Sequence, residues 1–577
     1  MARLGYLGWG VLFVLAISVM GTLLPGCRKA NTTPEAAEEP LEPPWFTEVG
    51  AARGLDFVHD AGEPSESYFL PQIMGSGVAL FDFNNDGLLD LYLVQNGGPQ
   101  SKSKNRLYQQ LPDGRFKDVS AGSGLDVAGF GMGVAVGDVN NDGFLDVLVT
   151  EFGRVRLFLN NGNGTFTDVT EQAGLNEPGW STAACFFDYD RDGWLDLVVV
   201  KYVDFDPSVR CGFPDGSHDY CAPVSYKGTV SKLYRNLGKD TGGAPVRFRD
   251  VSLASGIGLA PGRGLGVVCA DFNGDGWPDI FVANDAMANH LWINQKNGTF
   301  KEEAVSRGVA YNGMGVAEGN MGVGFGDVDG GGLNDLFVTH LYSETNTLWK
   351  QDPPGLFRDI TTLSRLNRPR WRATGFGTVL ADFDHDGALD AVLANGRVAK
   401  IAADPKAPRG PFWSQYSDRN QLFANDDGGH FRDISPSNPV LCGTPNVGRG
   451  LAVGDLRNRG ALDVVVTAVA GPVQVYENVA PKQGHWLMVR ALDPALKRDA
   501  YGAEVTVLAG GRRFIRTVSL GGSYLSHSDV RAHFGLGKAE RVDAVQIRWP
   551  DGKGEEFPGC AADQPLVLRK GEGRPRD

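Results

Sequence analysis

Asp82-Phe83-Asn84-Asn85-Asp86-Gly87-Leu88-Leu89-Asp90 puts side-chain oxygens at positions 1, 3, 5 and 9 of a nine-residue loop, with glycine at position 6. The pattern recurs through Asp138, Asn140, Asp142, Phe144 and Asp146; Asp188, Asp190, Asp192, Trp194 and Asp196; and Asp271, Asn273, Asp275, Trp277 and Asp279. A further intact copy runs through Asp382, Asp384, Asp386, Ala388 and Asp390. Two copies are altered. One keeps Asp327, Asp329, Leu333 and Asp335 but has Gly331 at position 5, and the last has Arg457 and Arg459 between Asp455 and Asp463. The seven starts lie 56, 50, 83, 56, 55 and 73 residues apart, so the natural period is near 55, with insertions in the third and sixth gaps.

The surroundings repeat as well. An apolar strand follows each loop at once, as in Leu91-Tyr92-Leu93 and Val147-Leu148-Val149, and a small residue such as Gly77, Gly133 or Gly266 sits five residues before each first aspartate. A third strand of the type Arg106-Leu107-Tyr108 and a fourth opening on Phe116-Lys117-Asp118 complete a unit. Four short strands per repeat, joined by turn chemistry, describe a propeller blade. Six fourth strands follow loops, and the seventh is expected in Phe46–Val49, paired onto the last blade to join the two ends of the chain. The fold expected is all-β: a seven-bladed β-propeller over 45–480 with calcium-binding loops, then a small β-sandwich-like domain over 484–571, where short runs alternate polar and apolar residues.

Oxygens at positions 1, 3, 5 and 9, with the backbone carbonyl of position 7 (Leu88, Phe144, Trp194, Trp277, Leu333 or Ala388), suit calcium, which takes six to eight oxygen ligands. An EF-hand is excluded, because position 12 (Leu93, Val149 or Val199) lies in a strand where that motif needs glutamate. The competing reading is an ordinary acidic turn, since Asp, Asn and Gly dominate turns; five intact copies in register with a strand repeat favour metal. Those loops carry 17 carboxylates against a net charge of −14, so five Ca²⁺ ions would bring the formal charge to −4. The acidity therefore reads as metal ligation, and the negative total argues against a nucleic-acid partner. The Gly331 loop is expected to be a weak sixth site. The last loop is expected to hold no metal, a guanidinium pairing instead with Asp455 and Asp463.

Glycine numbers 78 of 577 without a Gly-X-Y period, which excludes collagen. Residues 1–27 open with Arg3, run through an apolar stretch and stop at Leu24-Pro25-Gly26-Cys27, the pattern of a secretory signal. The close resembles a bacterial lipobox with Cys27 as the lipidated residue; the alternative is an uncleaved membrane anchor. Either way the chain is expected to lie outside the cytoplasm, attached to a membrane through its N-terminus, with polar, Pro-rich 28–44 as a tether.

The Asp loops, their preceding glycines and the F-x-D-V/I segments resemble the FG-GAP/VCBS repeats of integrin-α-type propellers. Gly484-His485-Trp486-Leu487, Gly521-Gly522-Ser523-Tyr524, His533-Phe534-Gly535 and Val545–Pro550 resemble the ASPIC/UnbV domain of the cartilage acidic protein family. For bacterial members this resemblance implies extracellular calcium-binding proteins.

Cys211 and Cys221 flank a nine-residue loop and are expected to form a disulfide, a metal site with His218 being the alternative. Cys185 and Cys269 read as buried thiols, and Cys442 with Cys560 as a candidate bridge between the two domains. No catalytic signature or phosphate loop is present. The face opposite the Asp loops gathers Asp285, His340, Glu344, Arg372 and Arg397, beside Glu151, Arg154, Glu318, Trp371 and Arg449. Two readings follow: a recognition or adhesion module for glycan or protein, or an enzyme using His340 with Glu344 as an acid/base pair in the funnel. The plain alternative is that these side chains only solvate rim loops.

Overall fold

The computed structural model describes residues 42–576 apart from 65–66, 177, 214, 239–244, 403–405, 407 and 427. The signal segment with Cys27, and the tether up to residue 41, lie outside the described residues. Among the described residues no helix is long and apolar enough to cross a membrane.

The propeller is built from four-stranded antiparallel sheets that the repeat generates directly. Seven such sheets share one order, in which each Asp loop joins the innermost strand to the second. The innermost strands are Val78–Phe81, Gly131–Gly137, Ser181–Phe187, Gly264–Ala270, Val323–Gly326, Gly375–Ala381 and Gly448–Gly454. Each packs against the next, and Gly448–Gly454 packs back on Val78–Phe81, so they form a closed ring. Phe46–Glu48 supplies the outer strand of the last sheet, with Phe46 opposite Asn478 and Glu48 opposite Tyr476. Phe46 is buried and meets the Phe383 ring edge-on at 5.3 Å.

Two repeated side chains sew neighbouring sheets together. An Asn or Gln ends each third strand, and in six sheets its amide donates to the backbone carbonyl at loop position 2 of the preceding sheet. Asn160 reaches Phe83, Asn236 reaches Val139, Asn294 reaches Tyr189, Asn425 reaches Val328 and Asn478 reaches Phe383, all at 2.8–2.9 Å. Gln110 closes the circle on Leu456 at 2.9 Å, whereas Gln351 bonds Asn334 of its own loop. At loop position 4 the backbone is left-handed, and the side chain donates to the position-6 glycine carbonyl of the next loop, as Asn85 does to Gly143 at 2.9 Å and Asn141 to Gly193 at 3.0 Å. Asn458 returns to Gly87 at 2.9 Å. The series is interrupted where position 4 is glycine, at Gly274 and Gly330.

The C-terminal region has two sheets. His485–Asp493 is flanked by Arg498–Asp499 and Ala532–Gly537 and runs parallel to Gln564–Arg569. The second sheet orders Arg512–Thr517, Glu504–Ala509, Ala544–Arg548, Gly554–Pro558 and Arg574–Arg576. This region is seated on the Asp-loop face of the ring, and its segment 520–529 enters the central channel. Ser523 pairs with Val323, His527 with Ala79, and the Ser523 hydroxyl donates to Leu451 O at 2.7 Å. The Tyr524 hydroxyl donates to Met74 O at 3.1 Å, and its ring packs on Phe376 at 4.8 Å.

Crowding of neighbouring innermost strands accounts for most of their small residues, and in the first two sheets the C-terminal segment adds to it. A Cβ on Gly77 would lie 2.5 Å from Leu525 O, and one on Gly133 3.0 Å from Leu525 Cα. Other glycines do clear the neighbouring strand, as Gly322 clears Phe376 O.

Cys211 and Cys221 form a disulfide with Cα atoms 5.2 Å apart. Cys185 and Cys269 are buried free thiols. Cys442 and Cys560 are also free, which corrects the expected bridge: Cys442 is enclosed in the propeller core cluster that holds Phe46 and Tyr476, and Cys560 lies partly exposed in the C-terminal region.

Phe46→Ala should lower unfolding stability by about 3–5 kcal/mol, the usual cost of truncating a buried phenylalanine. The shift in urea midpoint measures it; a loss comparable to that of a surface alanine substitution would mean that the terminal strand does not hold the ring closed.

Candidate functional site: the aspartate loops and the opposite face

The last aspartate of every loop is almost wholly enclosed. Asp90, Asp146, Asp196, Asp279, Asp335, Asp390 and Asp463 are at most 1% exposed. One oxygen of each accepts the backbone N–H that starts the third strand's terminal Asn or Gln, at 2.8–2.9 Å. In six loops the other oxygen accepts the N–H of position 2, as Phe83 donates to Asp90 at 3.1 Å and Val139 to Asp146 at 2.9 Å. In six loops the first aspartate takes the N–H groups of positions 5 and 6, as Asp86 and Gly87 donate to Asp82 at 3.1 and 2.8 Å; Asp382 takes those of positions 4 and 6. The position-5 carboxylate takes the N–H of position 7, from Leu88, Phe144, Trp194, Trp277 and Ala388, at 2.7–3.0 Å. Gly87 has φ +84°, which supplies the sharp bend.

Three sets bring three carboxylate oxygens within 4.8 Å of one another: Asp188, Asp190 and Asp196; Asp327, Asp329 and Asp335; Asp382, Asp384 and Asp390. In the first, second and fourth loops position 3 is asparagine, whose amide donates to the position-5 carboxylate, as Asn84 does to Asp86 at 2.9 Å, Asn140 to Asp142 at 2.9 Å and Asn273 to Asp275 at 3.1 Å. Burial, joined by repulsion from neighbouring carboxylates, pushes Asp138 and Asp188 up to about 6, Asp382 to about 7 and Asp90 to about 8. An all-oxygen donor set that is costly to ionise alone fits a hard dication.

The altered loops differ as their residues require. In the Gly331 loop Lys350 pairs with Asp329, so part of the negative charge is already met, and the triad of aspartates remains. In the last loop Arg459 Nη2 lies 2.8 Å from Asp463 and Nη1 3.1 Å from Glu477, while Asp455 accepts the Arg459 N–H at 3.0 Å. Arg457 faces Glu477 at 3.4 Å and does not join Asp455 or Asp463.

The C-terminal region brings further arginines to these loops, a feature the repeat pattern does not announce. Arg548 sits 2.7 Å from Asp271 and 3.2 Å from Glu504. Arg531 donates to Asp455 O at 3.2 Å, and Arg498 to Gly193 O at 3.0 Å. Arg498, Arg531 and Arg548 stand far apart in the sequence, and nothing in it places them beside the aspartates.

On the opposite face the expected residues separate. His340 is fully buried, its Nε2 3.0 Å from the Thr347 hydroxyl and 3.4 Å from Glu318, its Nδ1 3.3 Å from Gly319 O. Thr347 in turn donates to Glu318 at 3.0 Å. Glu344 instead accepts the N–H groups of Gly319 and Leu341 at 3.0 and 3.2 Å. The pairing of His340 with Glu344 is thus replaced by one with Glu318, because Glu344 caps the turn that follows the second strand. Burial lowers His340 to about 4 and raises Glu318 to about 7. Asp285, also buried, accepts the Tyr202 hydroxyl at 2.6 Å. Arg372 is exposed and donates to Glu344 O at 2.9 Å. Arg397 pairs with Asp418 at 3.1 Å and covers the Tyr342 ring at 4.3 Å. Arg449 is structural: it is enclosed, lies 3.8 Å over Phe376, and donates to the carbonyls of Ile73, Gly396, Gly448 and Arg397.

A family model described as FG-GAP-like repeat matches residues 82–149, 138–199, 271–338 and 327–393, starting on the first aspartate of four loops. A second, ASPIC and UnbV, matches residues 493–575. The chain carries FG-GAP repeats and an ASPIC/UnbV domain. It is homologous over most of its length to cartilage acidic protein 1, with 25% identity to the Xenopus tropicalis protein over 525 residues, 86% of this chain and 73% of that one. The human protein is 27% identical over 326 residues, 53% of this chain and 44% of its own length. Among solved structures, an Agrocybe aegerita lectin described as recognising non-reducing terminal N-acetylglucosamine overlaps 69% of the chain and 87% of its own at 13% identity and TM-score 0.35. BBS1N in complex with ARL6DN overlaps 74% of the chain and 96% of its own at 10% identity and TM-score 0.36. Overlaps this loose bear no functional weight.

His340→Gln tests the buried histidine. Its pKa in the folded protein lies below the unfolded value of 6.5, so on acidification the unfolded chain gains a proton that the folded one refuses. Wild-type stability should therefore fall below pH ~6.5, by about 2 kcal/mol at pH ~5 through this residue, and the variant should lose that much less. Urea midpoints at neutral and mildly acidic pH measure it; parallel losses would contradict the assignment.

Proposed function

We propose that this chain is a calcium-stabilised recognition module held outside the cytoplasm through its N-terminus, binding a glycan or protein partner by the loops opposite the Asp loops. The observation that carries the calcium half is the grouping of three carboxylates within 4.8 Å in three separate loops, on backbone that already directs N–H groups to hold them. Calcium would be held by the side-chain oxygens of positions 1, 3, 5 and 9 and supply charge neutralisation rather than chemistry. Anchoring through Cys27 remains part of the proposal.

The recognition half rests on what the ring leaves free. The ASPIC/UnbV domain covers the Asp-loop face and enters the channel, so a partner would meet the opposite loops. There Tyr342 is 43% exposed, Met314 84% and Val316 52%, beside exposed Arg372. An aromatic ring, apolar side chains and a guanidinium together suit a protein or sugar surface. The enzyme reading loses its support, because His340, Thr347 and Glu318 are bonded to one another away from solvent.

Calcium at a hundred times its dissociation constant should stabilise the full chain by about 2.7 kcal/mol per site, and a chelator should remove that gain. Asp384→Ala, which removes the position-3 oxygen that asparagine still supplies in three other loops, should reduce the calcium stoichiometry read by calorimetry by one site. A melting temperature indifferent to EDTA would refute the metal assignment. A glycan and secreted-protein binding screen tests the face: any hit should be weakened roughly tenfold by Tyr342→Ala or Arg372→Ala, hot-spot residue types, and hits untouched by both would place the partner elsewhere.

A further inference from the structure

We propose that the junction between the propeller and the ASPIC/UnbV domain holds a small oxyanion, gripped by Arg498 and Lys497. Arg498 is 6% exposed, yet it has no carboxylate within ion-pair distance among the described residues. Nη2 donates to Gly193 O at 3.0 Å, and the guanidinium lies 5.4 Å from the Tyr501 ring centroid. Nε and Nη1 are buried with no hydrogen-bond partner. A cation taken out of water and left with unmet N–H groups is costly unless an anion or ordered water completes it.

The other arginines of this junction show what completion looks like. Arg490 is bidentate on Asp499 at 2.8 and 3.1 Å, Arg531 binds Asp529 at 2.7 Å, and Arg548 binds Asp271 and Glu504. Arg516, also without a carboxylate, has two of its three nitrogens on the carbonyls of His533 and Ile515. Arg498 has one.

Arg498 also opens onto space. A groove of about 510 Å³ between the first two Asp loops and the C-terminal domain is lined by Asp82, Asp86, Arg490, Lys497, Arg498 and Arg569, among others. Lys497 and Arg569 are exposed and make no ion pair among the described residues. Asp493, a further lining residue, is taken by Lys570 at 2.9 Å. Asp82 and Asp86 are held by the loop itself, through Asp86 N, Gly87 N, Leu88 N and the Asn84 amide. Three cations without an ion pair among the described residues therefore face one space; the carboxylates acting on Arg498 from farther off are Asp138 and Asp188 of the second and third loops and Asp493, which Lys570 takes. A sulfate or a carboxylate group fits both the charge and the volume, and metal in the first loop would leave the groove more positive still.

The test is calorimetric titration of sodium sulfate and of sodium acetate into the full chain in calcium, with sodium chloride at equal ionic strength as the control. Calcium binding is measured first in its own titration, so that its failure counts against the metal reading alone. Saturable binding of sulfate or acetate, weakened roughly tenfold by R498Q and by K497A as expected for loss of one charge-assisted hydrogen bond, supports the site, and whichever anion binds tighter identifies the group. No saturable heat beyond chloride overturns it, leaving water as the occupant. So does wild-type binding that both variants retain; should R498Q fail to fold, K497A decides alone.

Discussion

A carboxylate buried at the base of each loop is the constraint on which the propeller depends. The ninth aspartate ties the loop to the start of its second strand, receives the N–H of position 2, and receives another from the end of the third strand. Three strands of a sheet are thereby joined at one side chain. Placing that carboxylate in a nearly dry site beside two or three others is unfavourable without a counter-charge. The molecule answers this in more than one way: an asparagine amide on the fifth position, Lys350 in the loop that lacks a fifth carboxylate, and Arg459 in the last. The remaining clusters of aspartates are where a divalent ion has most to contribute.

Closure of the ring follows from the same geometry. In six sheets the third-strand amide reaches the carbonyl next to the first aspartate of the preceding loop, so a loop held in shape presents an acceptor to its neighbour. Position 4 repeats the device along the loops themselves. The chain ends meet in the last sheet through Phe46–Glu48, and Gln110 makes the corresponding bond from the first sheet to the last. These contacts are local and repeated, which is why the ring tolerates the long insertions in its third and sixth gaps.

The ASPIC/UnbV domain changes what the ring can do. With segment 520–529 threaded through the axis, the channel is part of the core, and binding must occur at rims or junctions. His340, Glu318 and Thr347 belong to the packed interior of the opposite face, whereas Arg372, Tyr342 and Met314 remain at its surface. At the other face the domain meets the loops chiefly through arginine, and it is there that one guanidinium, that of Arg498, makes no ion pair among the described residues.

The sequence by itself determined the blades: strand, acidic loop and strand recur in register because the same backbone turn needs glycine at position 6 and carboxylates at positions 1 and 9. It also marked Phe46–Val49 as the strand that completes the last sheet, and it separated the loop carrying Arg457 and Arg459 from the rest. The amide at the end of each third strand was equally visible, but its target lies one repeat away, and only coordinates show that reach. Tertiary structure alone decided that His340 joins Glu318 instead of Glu344, that Cys442 and Cys560 stay apart, and that the C-terminal domain enters the axis. Local pattern records what each turn of chain must be; which distant surfaces meet depends on the shape and charge of finished units, and no repeat encodes that.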